Sequence, residues 1–383
     1  MRVALIGAGL QAQAACFDLI AQRDVREVVV ADSDLARAQA LARRWNDPRI
    51  IPVQCDASDL ASARKALQGA KAALSAAPYK FNETLARAAV AERCSFCDLG
   101  GNNTVVAAEL ALDAEARAAG VTIVPDCGLA PGMTQVLAAD AIRRFDRCDS
   151  VEIRVGGLPQ RRGGLLDYSL LFNIQGLINE YVEDAVRIED GEVQVIPSLE
   201  DFETLEFPAP FGTLEAFNTS GGTSTLPQTY AGKVRRLNYK TIRYPGHGKV
   251  FQALKQLGLL SWEPRVEMED GALVSPRALF SKLAEPALDR REPDVTLVRV
   301  TARGERGGKP LTRTYQMIEY PAHGLTAMMR TTAFPATVVL LMLARGQIEK
   351  KGAHPQERCV DPDLFMQELA ASPRDLKLEV SEA

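Results

Sequence analysis

An alternating run of polar side chains in the middle of the chain has the residue types of a carboxylate-binding site. Tyr239, Thr241 and Arg243 are spaced two residues apart, so on a β-strand they would share one face. That face would present a phenol, a hydroxyl and a guanidinium, and an Arg in such a setting is suited to bidentate capture of a carboxylate. The spacing alone also fits an exposed strand with a solvated Arg.

Few other groups in this sequence could transfer a proton or attack a substrate. Of three histidines, His247 lies nearest to polar partners, just after Pro245 and Gly246, and it is the candidate for proton transfer. The seven cysteines fit reduced thiols better than a disulfide framework. Cys94 and Cys97 lack the second pair that a zinc site would need, so no metal site is expected.

The N-terminal residues have the pattern of a nucleotide-binding turn. The apolar run Val3 to Ile6 ends at Gly7-Ala8-Gly9-Leu10-Gln11-Ala12, after which apolar residues recur at helical spacing. This pattern predicts a strand, a tight turn and a helix. Gly7 would permit the turn, and Gly9 would let the backbone approach a pyrophosphate bound at the start of the helix. Alone, this motif is a weak signal.

A carboxylate at the end of the next apolar run strengthens this interpretation. Asp32 lies 20 residues after Ala12, where an acidic residue binds the ribose hydroxyls of adenosine. Asp32 and Asp34 would both repel a 2′-phosphate, and the nearest cation, Arg37, is a helical turn further along the chain. The sequence therefore predicts NAD rather than NADP.

Strand and helix patterns continue to alternate up to residue 124, which predicts a parallel sheet covered on both faces. Small or polar residues follow each predicted strand, and strand ends of this kind line the ligand crevice of a doubly wound sheet. The predicted cofactor-binding residues are Gly7, Gly9, Leu10, Gln11, Asp32, Asp56, Ala57, Ala76, Ala77, Pro78, Gly100, Gly101, Asn102, Asp126, Cys127, Gly128 and Leu129.

The rest of the chain predicts a second, α+β domain and a return to the first. A helix is expected within Leu165–Val182, a long hairpin at Val295–Ala302 and Leu311–Tyr320, and a core helix from Thr332 to about Arg345 with Pro335 in its first turn. The fold class is thus α/β: a doubly wound parallel-sheet (Rossmann) domain, with an α+β substrate domain inserted before the C-terminal helices. The predicted boundaries are 1–125, 126–330 and 331–383.

The overall composition favours a small-molecule partner. The formal net charge of −4 over 383 residues provides no positive field for a nucleic acid or an anionic membrane. The apolar stretch at the N-terminus is too short for a secretory signal, and no run approaches the roughly 18 apolar residues of a membrane-spanning helix. We expect a cytoplasmic protein without nucleic-acid or membrane partners.

Several motifs resemble the saccharopine dehydrogenase-like oxidoreductases, and within that family the members that oxidise the ε-amine of lysine. The most specific lie in the predicted substrate domain, at Thr219-Ser220-Gly221-Gly222-Thr223-Ser224-Thr225-Leu226 and Tyr239-Lys240-Thr241-Ile242-Arg243-Tyr244. Others are Gly7-Ala8-Gly9-Leu10, Phe81-Asn82-Glu83-Thr84, Asp98-Leu99-Gly100-Gly101, Gly128-Leu129-Ala130-Pro131-Gly132-Met133, Val155-Gly156-Gly157-Leu158-Pro159, Glu215-Ala216-Phe217 and Gly246-His247. Together the motifs span residues 1 to about 350.

The resemblance implies NAD-dependent oxidative deamination of L-lysine to 2-aminoadipate 6-semialdehyde, with release of ammonia and NADH. It also implies a homo-oligomer, a dimer or tetramer. In this interpretation Arg243 binds the substrate carboxylate, and Asp126 to Pro131 border the nicotinamide. His247, Tyr239 and Arg243 form the catalytic set, and the substrate-binding residues are Tyr168, Ser220, Thr241 and Arg243.

Two positions depart from the family pattern. Asn173 stands where a Ser is usual, which leaves the length or substituent of the substrate amine open. Cys127 precedes the Gly-Leu-Ala-Pro-Gly run, and it could be a nucleophile for aldehyde oxidation, although packing is the favoured role.

Two other functions remain open at this point. One is a saccharopine-type enzyme acting on a secondary amine, for which Arg161 and Arg162 could bind a second carboxylate. The other is a non-catalytic nucleotide-binding protein, which would have no need for the polar residues of the substrate domain.

Overall fold

The computed structural model describes residues 1–289 and 292–383. These residues form two compact units. Unit 1 comprises Met1–Arg143 and Met329–Leu378, and unit 2 comprises Arg144–Met328 and Glu379–Ala383.

Strands and helices alternate through the first part of unit 1. In chain order they are β1 (Arg2–Ile6), α1 (Leu10–Ala21), β2 (Glu27–Asp32), α2 (Leu35–Trp45), β3 (Ile50–Gln54), α3 (Leu60–Leu67), β4 (Ala72–Ser75), α4 (Asn82–Ala91), β5 (Ser95–Asp98), α5 (Asn103–Leu110), α6 (Asp113–Ala119), β6 (Thr122–Val124) and α7 (Met133–Arg143). A short 3₁₀ turn, Tyr79–Phe81, precedes α4.

The remaining elements include long antiparallel strands. They are β7 (Arg147–Pro159), α8 (Ile174–Val182), β8 (Ala185–Glu189), β9 (Glu192–Ile196), β10 (Glu203–Phe207), β11 (Gly212–Phe217), α9 (Leu226–Tyr230), β12 (Arg236–Arg243), α10 (His247–Gln256), β13 (Val266–Glu267), β14 (Leu273–Val274), α11 (Pro276–Leu288), β15 (Asp294–Arg306), β16 (Lys309–Glu319), α12 (Ala327–Ala344), β17 (Gly352–Ala353), α13 (Gln356–Cys359), α14 (Pro362–Ala370) and β18 (Glu379–Glu382).

The strands of unit 1 form a parallel sheet in the order β17-β6-β5-β4-β1-β2-β3. Successive residues of β1, from Val3 to Ile6, are all buried, although they alternate between the two faces. The sheet is therefore covered on both faces, as the alternation in the sequence predicts. The chain reverses its winding direction between β1 and β4, and this is where a doubly wound sheet binds its ligand.

Unit 2 is built on a mixed sheet. Its described strands run in the order β10-β11-β12-β7-β15-β16-β18, with β8 pairing with β12 and β9. Most neighbours are antiparallel, but β12 and β7 are parallel. The central position of β12 in this sheet buries Tyr239, Thr241 and Arg243, so this strand is not the exposed face that its spacing also allowed.

The predicted return of the chain to the first unit is observed, and its boundary at Met328 lies within two residues of the predicted one, but the first boundary differs. The first boundary lies at Arg143, because α7 packs against α13 and α14 and so belongs to unit 1. The last residues return to unit 2, where β18 pairs with β16. The helix expected within 165–182 is α8, which occupies the second half of that range and is preceded by a 3₁₀ turn at Leu165–Asp167.

Helix α12 begins earlier than expected, at Ala327, which places Pro335 inside it rather than in its first turn. Its neighbours Phe334 and Ala336 are fully buried, and packing on this scale offsets the lost backbone hydrogen bond. Among the described residues, α12 is long and apolar enough to cross a membrane, but most of it is buried within the protein, as is normal for a core helix.

A buried ion pair ties the two chain segments of unit 1 together. The Nε of Arg374 lies 2.9 Å from Asp18 Oδ2, and the two side chains are 1% and 0% exposed. The hydroxyl of Thr337, in α12, also donates to Asp18. Three distant parts of the chain therefore meet at one carboxylate of α1.

We predict that Arg374→Ala lowers the free energy of unfolding by about 3–5 kcal/mol, because it leaves the charge of Asp18 buried without its partner. Chemical denaturation followed by circular dichroism would measure this. The control is Arg87→Ala, which breaks an exposed pair with Glu83 and should cost no more than about 1 kcal/mol. Similar losses in the two variants would contradict the role of the buried pair.

Candidate functional site

The turn after β1 in unit 1 has the geometry that a pyrophosphate requires. Gly7 has a φ of +96°, and a Cβ there would lie 2.8 Å from backbone atoms of Ala76, so no other residue fits without a shift. Gly9 caps α1 without any side-chain hydrogen bond, which leaves the first N–H groups of that helix available to an anion. The Oε1 of Gln11, in the first turn, is buried without a partner.

Asp32 lies at the end of β2, as predicted, and its carboxylate is held in place by the backbone. One oxygen accepts a hydrogen bond from Ala8 N at 2.8 Å, and the other accepts one from Asp34 N at 3.0 Å. The sequence placed Arg37 a helical turn away, yet a Cβ on Gly9 would be only 3.7 Å from Arg37 Nη2. The turn therefore has both an anion and a cation beside it.

The other predicted cofactor residues follow the carboxyl ends of the parallel strands. Asp56 and Ala57 follow β3, which is the edge strand furthest from the glycine turn on that side. The side chain of Asn102 accepts hydrogen bonds from Thr104 N and Val105 N, so it caps α5. The remaining residues of the set lie on the loops after β4, β5 and β6: Ala76, Ala77, Pro78, Gly100, Gly101, Asp126, Cys127, Gly128 and Leu129.

The thiol of Cys127 is fully buried, and its sulfur lies 3.2 Å from the carbonyl oxygen of Val124. Burial raises its pKa well above the ordinary value, so the nucleophilic thiolate is disfavoured at neutral pH. The structure thus favours packing over nucleophilic attack for this cysteine.

A buried pair of carboxyl groups, which the sequence reasoning did not single out as functional, supports the loops after β5 and β6. Asp98 Oδ1 accepts hydrogen bonds from Gly100 N at 2.6 Å and Asp126 N at 3.3 Å. Burial and the nearby charge of Asp98 together raise the pKa of Glu109 to about 11. Glu109 is therefore protonated at neutral pH and can donate to Asp98, which lets two acidic groups share the interior.

In unit 2, five side chains surround the buried guanidinium of Arg243. We call the set of Tyr168, Glu180, Tyr181, Tyr239, Arg243 and His247 the Arg243 cluster. The Nε of Arg243 donates to Tyr181 Oη at 2.9 Å, and Nη1 donates to the carbonyl oxygen of Ile242 at 2.9 Å. Its guanidinium carbon lies 5.0 Å from the centre of the Tyr168 ring, within reach of a cation–π interaction.

Arg243 retains donors for a ligand. It has five N–H groups, of which the described residues engage two at hydrogen-bond distance. Its Nη2 is 3.8 Å from Glu180 Oε2, too far for a direct bond. The hydroxyl of Tyr168 is also buried without a partner. A buried cation with unused donors, next to an unpaired hydroxyl, fits the carboxylate of a ligand.

His247 is held inside the cluster by both ring nitrogens. Nδ1 lies 3.3 Å from the carbonyl oxygen of Leu166, which can only accept, so Nδ1 carries the proton. Nε2 lies 2.9 Å from Tyr181 Oη and accepts from it. Burial and the charge of Arg243 lower the pKa of His247 to about 3. In this arrangement His247 orients the hydroxyl of Tyr181. Because both ring nitrogens of His247 are engaged and its pKa is low, the structure disfavours the predicted role of His247 as the proton acceptor.

The strand and helix that carry these residues are fixed by neighbouring groups. The carboxylate of Glu215, in β11, accepts from Gly246 N and Gly248 N, both at 2.8 Å, and so caps the start of α10 at His247. A Cβ on Gly222 would lie 2.3 Å from the ring of Tyr239, so this glycine lets the polar loop pack directly on that ring.

The other predicted substrate residues are partly engaged within the protein. Thr241 lies 2.7 Å from Thr219 Oγ1, and its hydroxyl donates to Tyr239 Oη at 3.3 Å. Ser220 binds α8, with its N–H donating to the carbonyl of Glu180. The cluster therefore unites Tyr168, Tyr239, Arg243 and His247, as predicted, while Ser220 contacts the helix that bears Glu180.

Sequence reasoning missed Glu180 and Tyr181. Both lie on α8, where Leu177 and Ile178 are fully buried. Glu180 and Tyr181 follow Leu177 by three and four residues, which is the spacing of one helix face. A polar residue on a buried helix face was the available signal.

Comparison with known proteins identifies the family. Residues 3–124 match the saccharopine dehydrogenase NADP-binding domain, and residues 128–372 match the saccharopine dehydrogenase C-terminal domain. The chain belongs to the saccharopine dehydrogenase family. Together these domains account for both structural units, and the resemblance found in the sequence motifs is confirmed.

Two curated proteins are similar in sequence to this chain. Saccharopine dehydrogenase [NADP(+), L-glutamate-forming] of Saccharomyces cerevisiae is 25% identical over 67% of this chain, and the match covers 58% of that protein. Carboxynorspermidine synthase of Vibrio cholerae is 24% identical over 66% of this chain and 61% of its own length. The chain thus matches about three fifths of each relative.

The fold agrees with that of two solved structures. Apo saccharopine dehydrogenase from Saccharomyces cerevisiae superposes with a TM-score of 0.81 at 20% identity, covering 100% of this chain and 99% of that one. Homospermidine synthase from Legionella pneumophila, solved with NAD, gives a TM-score of 0.68 at 11% identity and covers 100% and 91%. The predicted combination of a Rossmann domain and a second mixed α/β domain is confirmed.

Among the described residues, no group of three or more His, Cys, Asp or Glu side chains is arranged to hold a metal ion. The family match and the geometry of the glycine turn instead fit a nicotinamide dinucleotide at unit 1, where the backbone after β1, Gln11 and Asp32 would hold it.

We predict that the imidazole of His247 stays neutral from pH 5 to 8, because burial and Arg243 both oppose its protonation. Nitrogen-15 NMR of the three histidines, assigned with a His247→Gln variant, should show one ring protonated at Nδ1 and unresponsive to pH. A midpoint for His247 near its ordinary value of about 6.5 would contradict the hydrogen bonds described for it.

Proposed function

We propose that this protein is an NAD-dependent dehydrogenase that oxidatively deaminates the ε-amine of L-lysine, producing 2-aminoadipate 6-semialdehyde, ammonia and NADH. The observation that supports this most is Arg243, a guanidinium 3% exposed with donors left for a carboxylate. It lies in the substrate domain of a family whose named relatives act on saccharopine and form carboxynorspermidine, so an amino-acid or amine substrate is the natural occupant.

The proposed reaction begins with binding of the substrate and ends with hydrolysis of an iminium. The substrate must be anchored, and Arg243 would bind its carboxylate, with the unpaired Tyr168 hydroxyl beside it. Its ammonium must lose one proton to water before oxidation. A nicotinamide dinucleotide held at the glycine turn and Asp32 would supply the oxidising power by accepting the hydride from Cε. Water would then add to the iminium carbon and ammonia would leave as ammonium, so that the overall change yields aldehyde, ammonium, NADH and one proton.

The second candidate is an enzyme that joins or splits a secondary amine, which the names of both curated relatives favour. A saccharopine-type substrate carries a further carboxylate, for which Arg161 and Arg162 were the candidates. Arg162 is bound by Asp167 at 2.9 Å and lies over the Tyr244 ring at 5.5 Å. Arg162 is thus engaged within unit 2, which argues against Arg162, but not against Arg161, as the anchor of a further carboxylate.

We predict that the purified protein reduces NAD when given L-lysine alone and releases one ammonia for each NADH. Absorbance at 340 nm and an enzymatic ammonia assay would measure both products. Addition of 2-oxoglutarate should change neither rate nor yield. Reduction that depends on saccharopine instead, with an amino acid released in place of ammonia, would support the secondary-amine candidate.

Arg243→Ala provides the test of the anchoring residue in the same assay. Loss of a buried charged partner should raise KM for lysine at least about 30-fold, while the dissociation constant for NAD changes less than twofold. Arg243→Lys keeps the charge but loses the bidentate geometry, so its KM for lysine should lie between those of the unmodified protein and Arg243→Ala. Equal weakening of lysine and NAD binding would contradict the assignment.

The cofactor preference rests on Asp32, whose carboxylate lies where the adenosine ribose would bind. We propose that it favours NAD, because a 2′-phosphate would be placed next to this negative charge. Arg37 beside Gly9 opposes this preference, and the family domain that matches is described as NADP-binding.

We predict that the protein binds NAD more tightly than NADP, and that Asp32→Ser shifts the ratio of the two affinities about tenfold toward NADP, or about 1.4 kcal/mol. Arg37→Ala should weaken NADP more than NAD, since it removes the nearest cation. Calorimetric titration with each nucleotide would give the ratios directly. Tighter binding of NADP by the unmodified protein would overturn the NAD proposal.

A further inference from the structure

A carboxylate and a guanidinium lie next to each other in the Arg243 cluster without forming a direct hydrogen bond. Glu180 Oε2 is 3.8 Å from Arg243 Nη2, and 34% of the Glu180 side chain is accessible, whereas Arg243 is buried. Among the described residues the Glu180 carboxylate accepts no hydrogen bond. A carboxyl group and a guanidinium are therefore held side by side with binding capacity left on both.

This spacing matches the head group of an α-amino acid. In a zwitterionic amino acid the carboxylate and the ammonium are attached to the same carbon, so they need two neighbouring partners of opposite charge. An Arg is suited to the carboxylate, and a Glu accepts charge-assisted hydrogen bonds from an ammonium. We propose that Arg243 and Glu180 together bind the α-carboxylate and α-ammonium of a free L-α-amino acid, with Glu180 on the ammonium.

The proposal rests on the proposed function in one respect, namely that Arg243 binds the substrate α-carboxylate. The amine that is oxidised would then lie at the far end of the side chain, four methylene groups from the α-carbon in lysine. Because Glu180 adjoins Arg243, it is at the wrong end of the substrate to take the proton from that amine. The α-ammonium is the group within its reach.

The surroundings of Glu180 favour a cationic ligand. Arg243 and Tyr239 from β12, Tyr168, and Tyr181 on its own helix are the titratable groups that interact with it. Burial raises the pKa of Tyr168 and of Tyr239 to about 12, so these phenols are neutral. Burial raises the pKa of Glu180 to about 7, although Arg243 lowers it. A bound ammonium would supply the second positive charge that favours the carboxylate.

The consequence is a defined substrate class. The site would accept amino acids whose α-ammonium is free and would reject those with an acylated α-amine or without one. It would also reject simple diamines, which lack the carboxylate. The α-amine would serve as a handle for binding while chemistry occurs elsewhere on the molecule.

Two matched pairs of ligands test this, each pair differing only in the α-amine: L-lysine with 6-aminohexanoate, and L-norleucine with hexanoate. Dissociation constants are measured by calorimetry with the protein saturated with NADH, so that no oxidation can proceed. We expect the α-amino acid of each pair to bind about 10- to 150-fold more tightly, as for a hydrogen-bonded charged group. Glu180→Gln should abolish that difference while changing the affinity for 6-aminohexanoate less than twofold.

Glu183→Gln is the matched control, because it is the same substitution immediately after α8, where Glu183 interacts with Arg277 instead. It should leave the discrimination intact. Glu180→Asp retains the charge on a shorter side chain and should keep part of the discrimination between the members of each pair. It provides a second variant if circular dichroism shows that Glu180→Gln does not fold.

Three outcomes would overturn the proposal. If Glu180→Gln and Glu180→Asp weaken both members of each pair equally, Glu180 supports Arg243 and does not read the α-amine. If affinities are unchanged but kcat falls alike for L-lysine and 6-aminohexanoate, Glu180 acts on the amine that is oxidised. If the unmodified protein fails to discriminate within either pair, no zwitterion site exists.

The norleucine pair separates this proposal from the proposed function. Discrimination within that pair, together with no NADH formation from lysine, would support the amino-acid site and reject lysine oxidation. NADH formation from lysine without discrimination would do the reverse.

Discussion

The positive charge of Arg243 inside unit 2 is the constraint on which the rest of the candidate site depends. A buried guanidinium is stable only if its charge and donors are matched by nearby groups. The hydroxyl of Tyr181 and the carbonyl of Ile242 accept two of its hydrogen bonds, and the ring of Tyr168 lies against it. The positive charge and the N–H donors that these groups leave without partners define the ligand, which must supply a negative charge and hydrogen-bond acceptors.

A chain of contacts holds that arrangement from the outside. Glu215 caps α10, which fixes His247 at its first residue. His247 then orients the hydroxyl of Tyr181, which accepts from Arg243. Each group in this series holds the next one by a hydrogen bond or by its position on α10. Removal of the Glu215 carboxylate would therefore change the position of the Arg243 guanidinium, even though the two side chains do not bind each other.

Local pattern was enough to predict the parts of the molecule where chemistry depends on short spacing. Gly7 and Asp32 belong to a turn and a strand end whose geometry is set within about 30 residues. Tyr239 and Arg243 share a strand face because side chains alternate along any strand. The parallel sheet was predicted in the same way, because the hydrophobic pattern of each strand and helix is visible within its own residues.

The rest depended on contacts between distant segments, which spacing does not encode. Glu180 joins the cluster because α8 packs against α10 and its Tyr181 accepts a hydrogen bond from Arg243 at the end of β12. His247 looked like a free base in the sequence, but Leu166 and Tyr181 engage both its nitrogens. The boundary at Arg143 likewise follows from packing of α7 against α13 and α14, more than 200 positions away. The first turn of α12 is held by Asp294, whose carboxylate accepts hydrogen bonds from Ala327 N and Met328 N.

The meeting of Asp18, Thr337 and Arg374 has a consequence for the order in which the protein is made. Asp18 is synthesised hundreds of residues before Thr337 and Arg374. Until these partners are made, the segment that contains Asp18 cannot form the complete core of unit 1. The interval is 356 residues for Arg374. Most of unit 2, by contrast, is contiguous in sequence and can fold first. Unit 1 would then be completed last, with its own N-terminal half the oldest part of the chain and the most in need of protection from aggregation.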